Sequence, residues 1–408
     1  MWLAPASCMG DDLHPLKPVE IDVWDFLTWP AAVAALIWFG LLFDSARRWD
    51  FRPVDEDQSP TPPPSCWPEV VILVPARNEA VNLPETLPAL LDQDYPGPFH
   101  LYLIDDRSTD GTAALAKTLD HRGNLVVLHN TEQPAGWTGK VSALEHGLRV
   151  ALDRHDPAFI FCTDADIAHR PDSLSRLVAQ SLDLKLGCNS RMARLRCETF
   201  AERLCIPAFV YFFNLLYPMR WINDPQKRTY GAAGGSVLLS RQALHDLGDS
   251  FASIRDCLID DVNLARAVQA TGHRLRLELS ASRVASLRGY PDLESVAAMV
   301  RRSAYAQLGY RLWLGALTLL GLVWLFALPP LALLIGIVIG HGALASAGGA
   351  AWFAMSLSYR PAIRFFGLPI WRTVLLPIAG WLYGWMTWQS IWRHHRGRPV
   401  VWRESAGD

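Results

Sequence analysis

Residues 312–359 contain no Asp, Glu, Lys or Arg, 48 consecutive positions. As helix, at 1.5 Å per residue, such a run is about 72 Å long, more than twice the roughly 30 Å hydrocarbon core of a bilayer. It reads as a helical hairpin that crosses twice. Pro329-Pro330 and Gly340-His341-Gly342 both offer a turn, and His341 reads as a turn residue rather than a ligand. Two shorter charge-free runs accompany it, 18 residues at 26–43 and 20 residues at 373–392, the latter rich in Trp and Tyr. Arg47, Arg48 and Arg52 follow the first run, whereas Asp11, Asp12, Glu20, Asp22 and Asp25 precede it with a single Lys17. That bias places the C-terminal side of the run in the cytoplasm. A cleaved signal peptide would want a basic leader and a small-residue cleavage site, so the run reads as an uncleaved anchor. The last run either spans the bilayer or lies along its interface. Here the charge rule conflicts with itself: if the hairpin returns Arg360, Arg364 and Arg372 to the cytoplasm, a further crossing puts Arg393, Arg396, Arg398 and Arg403 outside.

Composition then divides. Only 19% of the 408 residues are charged, yet all of those charges fall outside the three runs, where they make up roughly the quarter usual for soluble protein. A net charge of -2 gives no basic excess that would point to nucleic acid. The 7 Cys form no CxxC pair and have no His companions at zinc-finger spacing, which argues against a disulfide framework and for a reducing compartment. The expected organisation is a leader (1–25), a transmembrane anchor (26–46), a Pro-rich linker (47–68), a cytoplasmic domain (69–311), a transmembrane hairpin (312–359), a transmembrane or interfacial helix (370–392) and a basic tail (393–408). This describes a multi-pass protein of the inner (cytoplasmic) membrane.

Within the soluble segment, Val70-Val71-Ile72-Leu73-Val74 is a buried-type strand ending in Pro75-Ala76-Arg77-Asn78-Glu79, and a helical pattern follows from Asn82. His100-Leu101-Tyr102-Leu103-Ile104 repeats the scheme and ends in Asp105-Asp106; Ala158-Phe159-Ile160-Phe161-Cys162-Thr163 does so again and ends in Asp164-Ala165-Asp166. Strands alternating with helices predict a parallel α/β sheet, whose ligands bind at the carboxyl ends of the strands. Carboxylates at n and n+2 suit a hard cation that shares its shell with phosphate oxygens. On its own such a pair is more often turn or cap chemistry.

Taken together, Val74-Pro75-Ala76-Arg77-Asn78-Glu79, Ile104-Asp105-Asp106-Arg107-Ser108-Thr109-Asp110-Gly111-Thr112, Gly139-Lys140, Thr163-Asp164-Ala165-Asp166 and Asp260-Asp261 resemble the family 2 glycosyltransferases over about residues 68 to 290. The resemblance implies a GT-A nucleotide-sugar-binding fold and an inverting hexosyltransferase type of reaction. It implies that Pro75, Ala76, Asn78 and Glu79 line the nucleoside pocket, that Asp106 contacts the uracil of a UDP-sugar, and that Lys140 lies close to the nucleotide. Asp164 and Asp166 would hold the diphosphate through a divalent cation, Mg²⁺ or Mn²⁺. Asp261 matches the general base, which must accept the acceptor hydroxyl's proton. Asp260 reads as its supporting partner and as the helix-cap residue of the two.

The apolar run from Ile206 to Met219 is too short to cross a bilayer comfortably, and a crossing would separate Asp164 and Asp166 from Asp261. Residues 199–222 read as an interfacial helix or a buried core helix. With the Ala232-Ala233-Gly234-Gly235 turn and Ser286-Leu287-Arg288-Gly289-Tyr290, the segment is similar to the hopene-associated glycosyltransferases of hopanoid-producing bacteria. What that implies is a nucleotide-sugar donor and a membrane lipid acceptor, with Gly234 and Gly235 near the reacting groups. Processive synthases carry Arg-Trp where this chain has Ala304-Tyr305; that departure weakens a polymerising reading and leaves Arg301 and Arg302 as diphosphate or lipid-headgroup contacts. A polyprenyl-phosphate sugar transferase would use the same residues. A non-catalytic membrane scaffold with the same fold would show eroded carboxylates, and Asp106, Asp164, Asp166 and Asp261 are all in place.

Overall fold

The computed structural model describes residues 24–50, 53 and 61–397. The expected leader, most of the Pro-rich linker and most of the basic tail lie outside the described residues. Among the described residues nine strands are formed: β1 (Val70–Ala76), β2 (Phe99–Asp105), β3 (Leu125–His129), β4 (Phe159–Thr163), β5 (Ile167–His169), β6 (Leu186–Met192), β7 (Ser236–Ser240), β8 (Arg274–Leu279) and β9 (Val284–Ser286). Seven make one sheet in the order β3-β2-β1-β4-β7-β6-β8, and β5 pairs with β9 in a separate antiparallel ribbon.

Every residue of β1 is buried, as its unbroken apolar run requires of a central strand covered on both faces. The period of two shares out its side chains. Val70, Ile72 and Val74 pack with Leu83, Leu87 and Leu90 of the helix Leu83–Leu91, while Val71 and Leu73 join Val141, Leu144 and Leu148 of the helix Gly139–Leu152 on the other face. That second helix comes close enough to need a glycine. A Cβ on Gly147 would lie 2.7 Å from the Ile104 side chain. Gly147→Ala is therefore expected to destabilise the domain by about 1–3 kcal/mol, the usual cost of overpacking; an unchanged thermal midpoint would show that the helix shifts freely.

One strand runs backwards. β7 is antiparallel to both β4 and β6, in a register that sets Ser236 opposite Thr163. The start of β7, and the Gly234-Gly235 pair just before it, thereby reach the same sheet edge as the carboxyl ends of β1, β2 and β4.

Among the described residues, one helix is long and apolar enough to cross a membrane, Leu312–Ile339, with 28 residues and a mean hydropathy of 2.6; Phe26–Leu42 is a shorter apolar helix. Pro329-Pro330 does not turn the chain. These prolines fall at the start of a helical segment directly after a π-helical stretch, Val323–Ala327, which absorbs the lost backbone donors. The turn comes at Gly340, with φ +75°, and at His341, whose Nδ1 accepts from the Leu344 amide at 3.2 Å. The second arm, Gly342–Phe365, continues past residue 359 and carries Arg360 and Arg364 near its end. The first apolar helix, Asp25–Leu42, packs along this arm, and its Trp38 indole donates to the Leu325 carbonyl at 2.9 Å.

The aromatic run forms the helix Phe200–Leu216, begun by a capping box between Thr199 and Glu202. It is a core helix. Large exposed apolar side chains occur only at its two ends, Phe200 and Leu216, and its middle is held between the sheet domain and the apolar helices. Tyr211 Oη shares a hydrogen bond with Ser358 Oγ at 2.7 Å, and Tyr383 Oη donates to the Cys205 carbonyl at 3.1 Å. Sequence hydrophobicity alone does not distinguish burial in lipid from burial in protein.

Candidate active site

The loops after β1 and β2 lock onto each other. Asn78 sits in the left-handed region, φ +53°, where Asn is tolerated better than most residues. Its amide donates to Ser108 Oγ at 2.9 Å and its Oδ1 accepts from the Thr109 amide at 2.8 Å. The Glu79 amide donates to Thr112 Oγ1 at 2.9 Å, and the Ala80 amide to Asp110 Oδ2 at 3.0 Å. Two motifs about thirty residues apart are thus one structural unit. Of the four residues expected to line a nucleoside pocket here, Pro75 and Glu79 border the cleft. Ala76 turns its side chain into the core and accepts the Asp106 amide at 2.8 Å through its carbonyl, and Asn78 serves the loop. Asp106 is fully buried, accepting from Asn130 Nδ2 at 2.9 Å and Arg107 Nε at 3.1 Å, with Arg77 Nη1 at 3.6 Å.

Lys140 occupies the centre of the cleft, on the first turn of its helix. Its Nζ lies 2.8 Å from Asp164 Oδ1 and 3.1 Å from Asp260 Oδ2. Burial works against the ammonium, but Asp164 and Asp260 outweigh it and hold its pKa above the usual lysine value. For Asp164 burial is again the largest effect and here prevails, raising its pKa despite the lysine.

Asp261 accepts two backbone amides, Gly234 on Oδ2 at 2.7 Å and Val262 on Oδ1 at 2.8 Å. Burial, then the charge of Asp260, push its pKa up to about 6. The amide bonds expected of Asp260 are thus made by Asp261, and Asp260 is the partner of Lys140. Gly234 is small by necessity, since a Cβ there would stand 3.1 Å from Lys140 Nζ and 3.3 Å from Asp261 Oδ2. Gly235 is fixed by a relay. Thr163 Oγ1 donates to the Gly235 carbonyl at 2.8 Å and accepts from His169 Nε2 at 2.8 Å, while burial drops the His169 pKa to about 3 and keeps the ring neutral.

Arg288 was not among the expected site residues. Its Nε donates to Asp166 Oδ2 at 2.9 Å and its Nη2 to Glu79 Oε1 at 3.0 Å, so it ties the β1 loop to the carboxylate pair. Burial opposes its charge; Asp166 and Glu79 overcome that and raise its pKa. The sequence signal was faint: an arginine just past the short strand β9. Arg301 and Arg302 part company. Arg301 is buried against Glu294 and Gln389, away from the cleft, whereas Arg302 borders it. The same cleft is also lined by the apolar side chains of Leu195, Phe209, Phe213 and Met299.

Residues 71–248 match the Glycosyl transferase family 2 profile. That stretch, under half of the chain, is similar to the family 2 glycosyltransferases. Relatives include an N-acetylglucosaminyltransferase of Rhizobium leguminosarum bv. viciae, 26% identical over 176 residues, which are 42% of this chain and 37% of that protein. The polyprenol monophosphomannose synthase of Mycolicibacterium smegmatis is 30% identical over 122 residues, 29% of this chain and 43% of that one. The chain thus covers less than half the length of either. Among solved structures, the mannosyltransferase PcManGT from Pyrobaculum calidifontis, in complex with GDP-Man and Mn²⁺, superposes with a TM-score of 0.56 at 23% identity, over 88% of this chain and 99% of that one. The shared architecture is a mixed α/β, GT-A-like fold.

Within the matched stretch the donor set suits a hard cation. Lys140 uses Asp164 Oδ1 and Arg288 uses Asp166 Oδ2, and among the described residues Asp164 Oδ2 and Asp166 Oδ1 have no protein partner. Two free carboxylate oxygens on one cleft are a donor set that Mg²⁺ or Mn²⁺ takes. A different grouping, Glu69, His100 and His155, brings possible donor atoms within 4.8 Å of one another. It lies at the amino ends of the strands, away from the cleft. Its imidazoles stack face to face at 3.7 Å between centroids, so their in-plane lone pairs do not converge on one ion.

Proposed function

We propose that this protein transfers a sugar, with inversion, from a UDP-sugar to a hydroxyl of a membrane lipid, a hopanoid or related polycyclic triterpenoid, at the cytoplasmic face of the inner membrane. The supporting observation is that one cleft is lined both by Asp164, Asp166, Lys140 and Asp261 and by Leu195, Phe209, Phe213 and Met299. A sugar nucleotide needs the first set; an apolar alcohol needs the second.

In this reading Asp261 takes the proton from the acceptor hydroxyl as that oxygen attacks the anomeric carbon. The Gly234 amide orients the carboxylate. Lys140 stabilises charge on the departing nucleoside diphosphate, a role suited to a preorganised cation. A divalent ion held by Asp164 and Asp166 would add Lewis-acid stabilisation of the same phosphates. A polyprenyl-phosphate acceptor is the second reading, favoured by the Arg302 cation on the cleft that Phe209, Phe213 and Met299 also line.

Purified protein in lipid, incubated with a panel of nucleotide sugars and hopanoid or polyprenyl-phosphate acceptors and followed by mass spectrometry, separates these readings. Absence of any lipid product would sink both. Asp166→Ala is expected to remove the metal dependence of nucleotide-sugar binding, measured by titration with and without chelator; an unchanged metal response would take the ion away from this pair.

A further inference from the structure

The first apolar helix and the second hairpin arm end together. Ala31, near the start of Asp25–Leu42, shares a small apolar cluster with Leu344, near the start of Gly342–Phe365, and Leu42 and Phe43 reach the same groove as Leu357 and Phe365. The two helices therefore run parallel. Both stop against the soluble domain, where Arg194 lies 5.4 Å from the Phe365 ring and donates to the Ala281 carbonyl at 3.0 Å. Between these ends lies an open groove of about 840 Å³.

The groove combines two kinds of surface. Arg194, Arg360 and Arg364 line it together with the apolar side chains of Leu42, Phe43, Leu357 and Phe365. Arg360 and Arg364 are four residues apart and so lie on one face of their helix. Both are exposed, and among the described residues neither has a hydrogen-bond or ion-pair partner. Asp50 is the only carboxylate on the groove among the described residues, and Arg47, 3.7 Å from it, offsets its charge. Further up the same helices Leu36, Phe39 and Phe353 are exposed, whereas Asp44, Arg47 and Arg48 follow Phe43 in the chain. The groove thus sits where an apolar exterior gives way to a charged one.

We infer that this groove binds an anionic phospholipid, with the phosphate among Arg194, Arg360 and Arg364 and the acyl chains along Leu42, Phe43, Leu357 and Phe365. The inference rests on the membrane part of the proposed function. Charge selects the headgroup. Guanidinium groups donate in pairs to phosphate oxygens, and basic pockets at the cytoplasmic ends of membrane helices hold anionic headgroups. Phosphatidylcholine carries its own ammonium, which offsets that attraction. The apolar side chains select a lipid over a free phosphate ion, which has no hydrocarbon to place against them. The site is separate from the active-site cleft, with no lining residue in common, yet the two share a wall. After β6, Ala193 and Leu195 line the cleft and Arg194 lines the groove, the alternation of extended chain. A lipid phosphate held by Arg194 therefore lies behind the segment that carries Leu195 to the cleft.

The test uses full-length protein. Wild type is first floated with phosphatidylcholine vesicles; failure to float removes the membrane reading and the groove assignment with it. In neutral detergent, native mass spectrometry then follows binding as phosphatidylglycerol, phosphatidylcholine or inorganic phosphate is titrated. Phosphatidylglycerol is expected to bind in preference to phosphatidylcholine, a comparison that needs no variant. Arg360→Gln/Arg364→Gln is expected to weaken it by about 30-fold, the loss of two basic groups beside an anionic headgroup, while melting like wild type in lipid-free detergent. Lys117→Gln/Lys185→Gln removes the same charge from exposed positions of the soluble domain and should leave the affinity unchanged. A protein that floats but binds both lipids equally loses only the groove assignment. Equal losses in the two double variants would trace the binding to diffuse surface charge, and displacement of the lipid by equimolar inorganic phosphate would make the groove an ion site; either result overturns the inference.

Discussion

Asp261→Asn is expected to lower the transfer rate by about 10²–10⁴-fold, the contribution typical of a positioned general base, while nucleotide-sugar affinity changes little. Asn keeps an oxygen for the Gly234 amide but cannot take a proton. The wild-type pH profile should carry the same signature. With its pKa near 6, Asp261 is ionised and competent above that pH, so the rate falls as pH drops through it. Stability moves the other way. A carboxyl whose folded pKa is raised stabilises the fold below its unfolded value of 3.8, and that stability is lost as pH rises through about 6. At pH 8 the Asp261→Asn protein should therefore melt no lower than wild type. A lower melting temperature together with retained transfer would make the carboxylate a structural cap.

Lys140→Met has the second large effect. Lys140 is paired with Asp164 and Asp260, and its charge lowers the pKa of both Asp164 and Asp261. Without it three carboxylates face one another and the departing diphosphate loses its protein cation. A loss of about 10²–10³-fold in turnover is expected, the magnitude seen when a preorganised stabilising group is removed. The acid limb of the profile should also move to higher pH, because each remaining carboxylate raises the others. By the same sign, the variant loses stability at pH 8 and recovers part of it at pH 5 as the carboxylates take up protons. Thermal melts at the two pH values and a pH–rate profile check both effects; an acid limb that stays in place would break the proposed coupling between Lys140 and Asp261.

How much of this was legible in the chain depended on how local the signal was. β1, β2 and β4 could be read because each is a short apolar run ending in a polar cluster, and a parallel sheet gathers such ends on one edge. The reversed course of β7 could not, since Val237-Leu238-Leu239 has the same pattern in either direction. Asp260 and Asp261 were found as a pair, yet their roles depend on Gly234 and Lys140, which arrive from other elements. Arg301 and Arg302 are neighbours about 100° apart around one helix. Which of them faces the cleft is set by Glu294 and by Gln389, 88 residues from Arg301. Arg288 lay in the Ser286–Tyr290 motif and His169 in none, and neither role was legible without Asp166, Glu79 and Thr163, partners that the fold supplies.

The backward strand β7 has a further consequence, for inheritance. It is a seam. In chain order Glu79, Lys140, Asp164 and Asp166 come before it, and Asp261, Arg288 and Arg302 after, while the apolar wall draws on both sides, with Leu195, Phe209 and Phe213 before and Met299 after. The family 2 match closes at residue 248, just past this strand. In the proposed reading, a lineage that kept the leading part and exchanged the trailing part would retain the groups nearest the donor phosphates and replace the base, the arginine clasp on Asp166 and only one residue of the apolar wall.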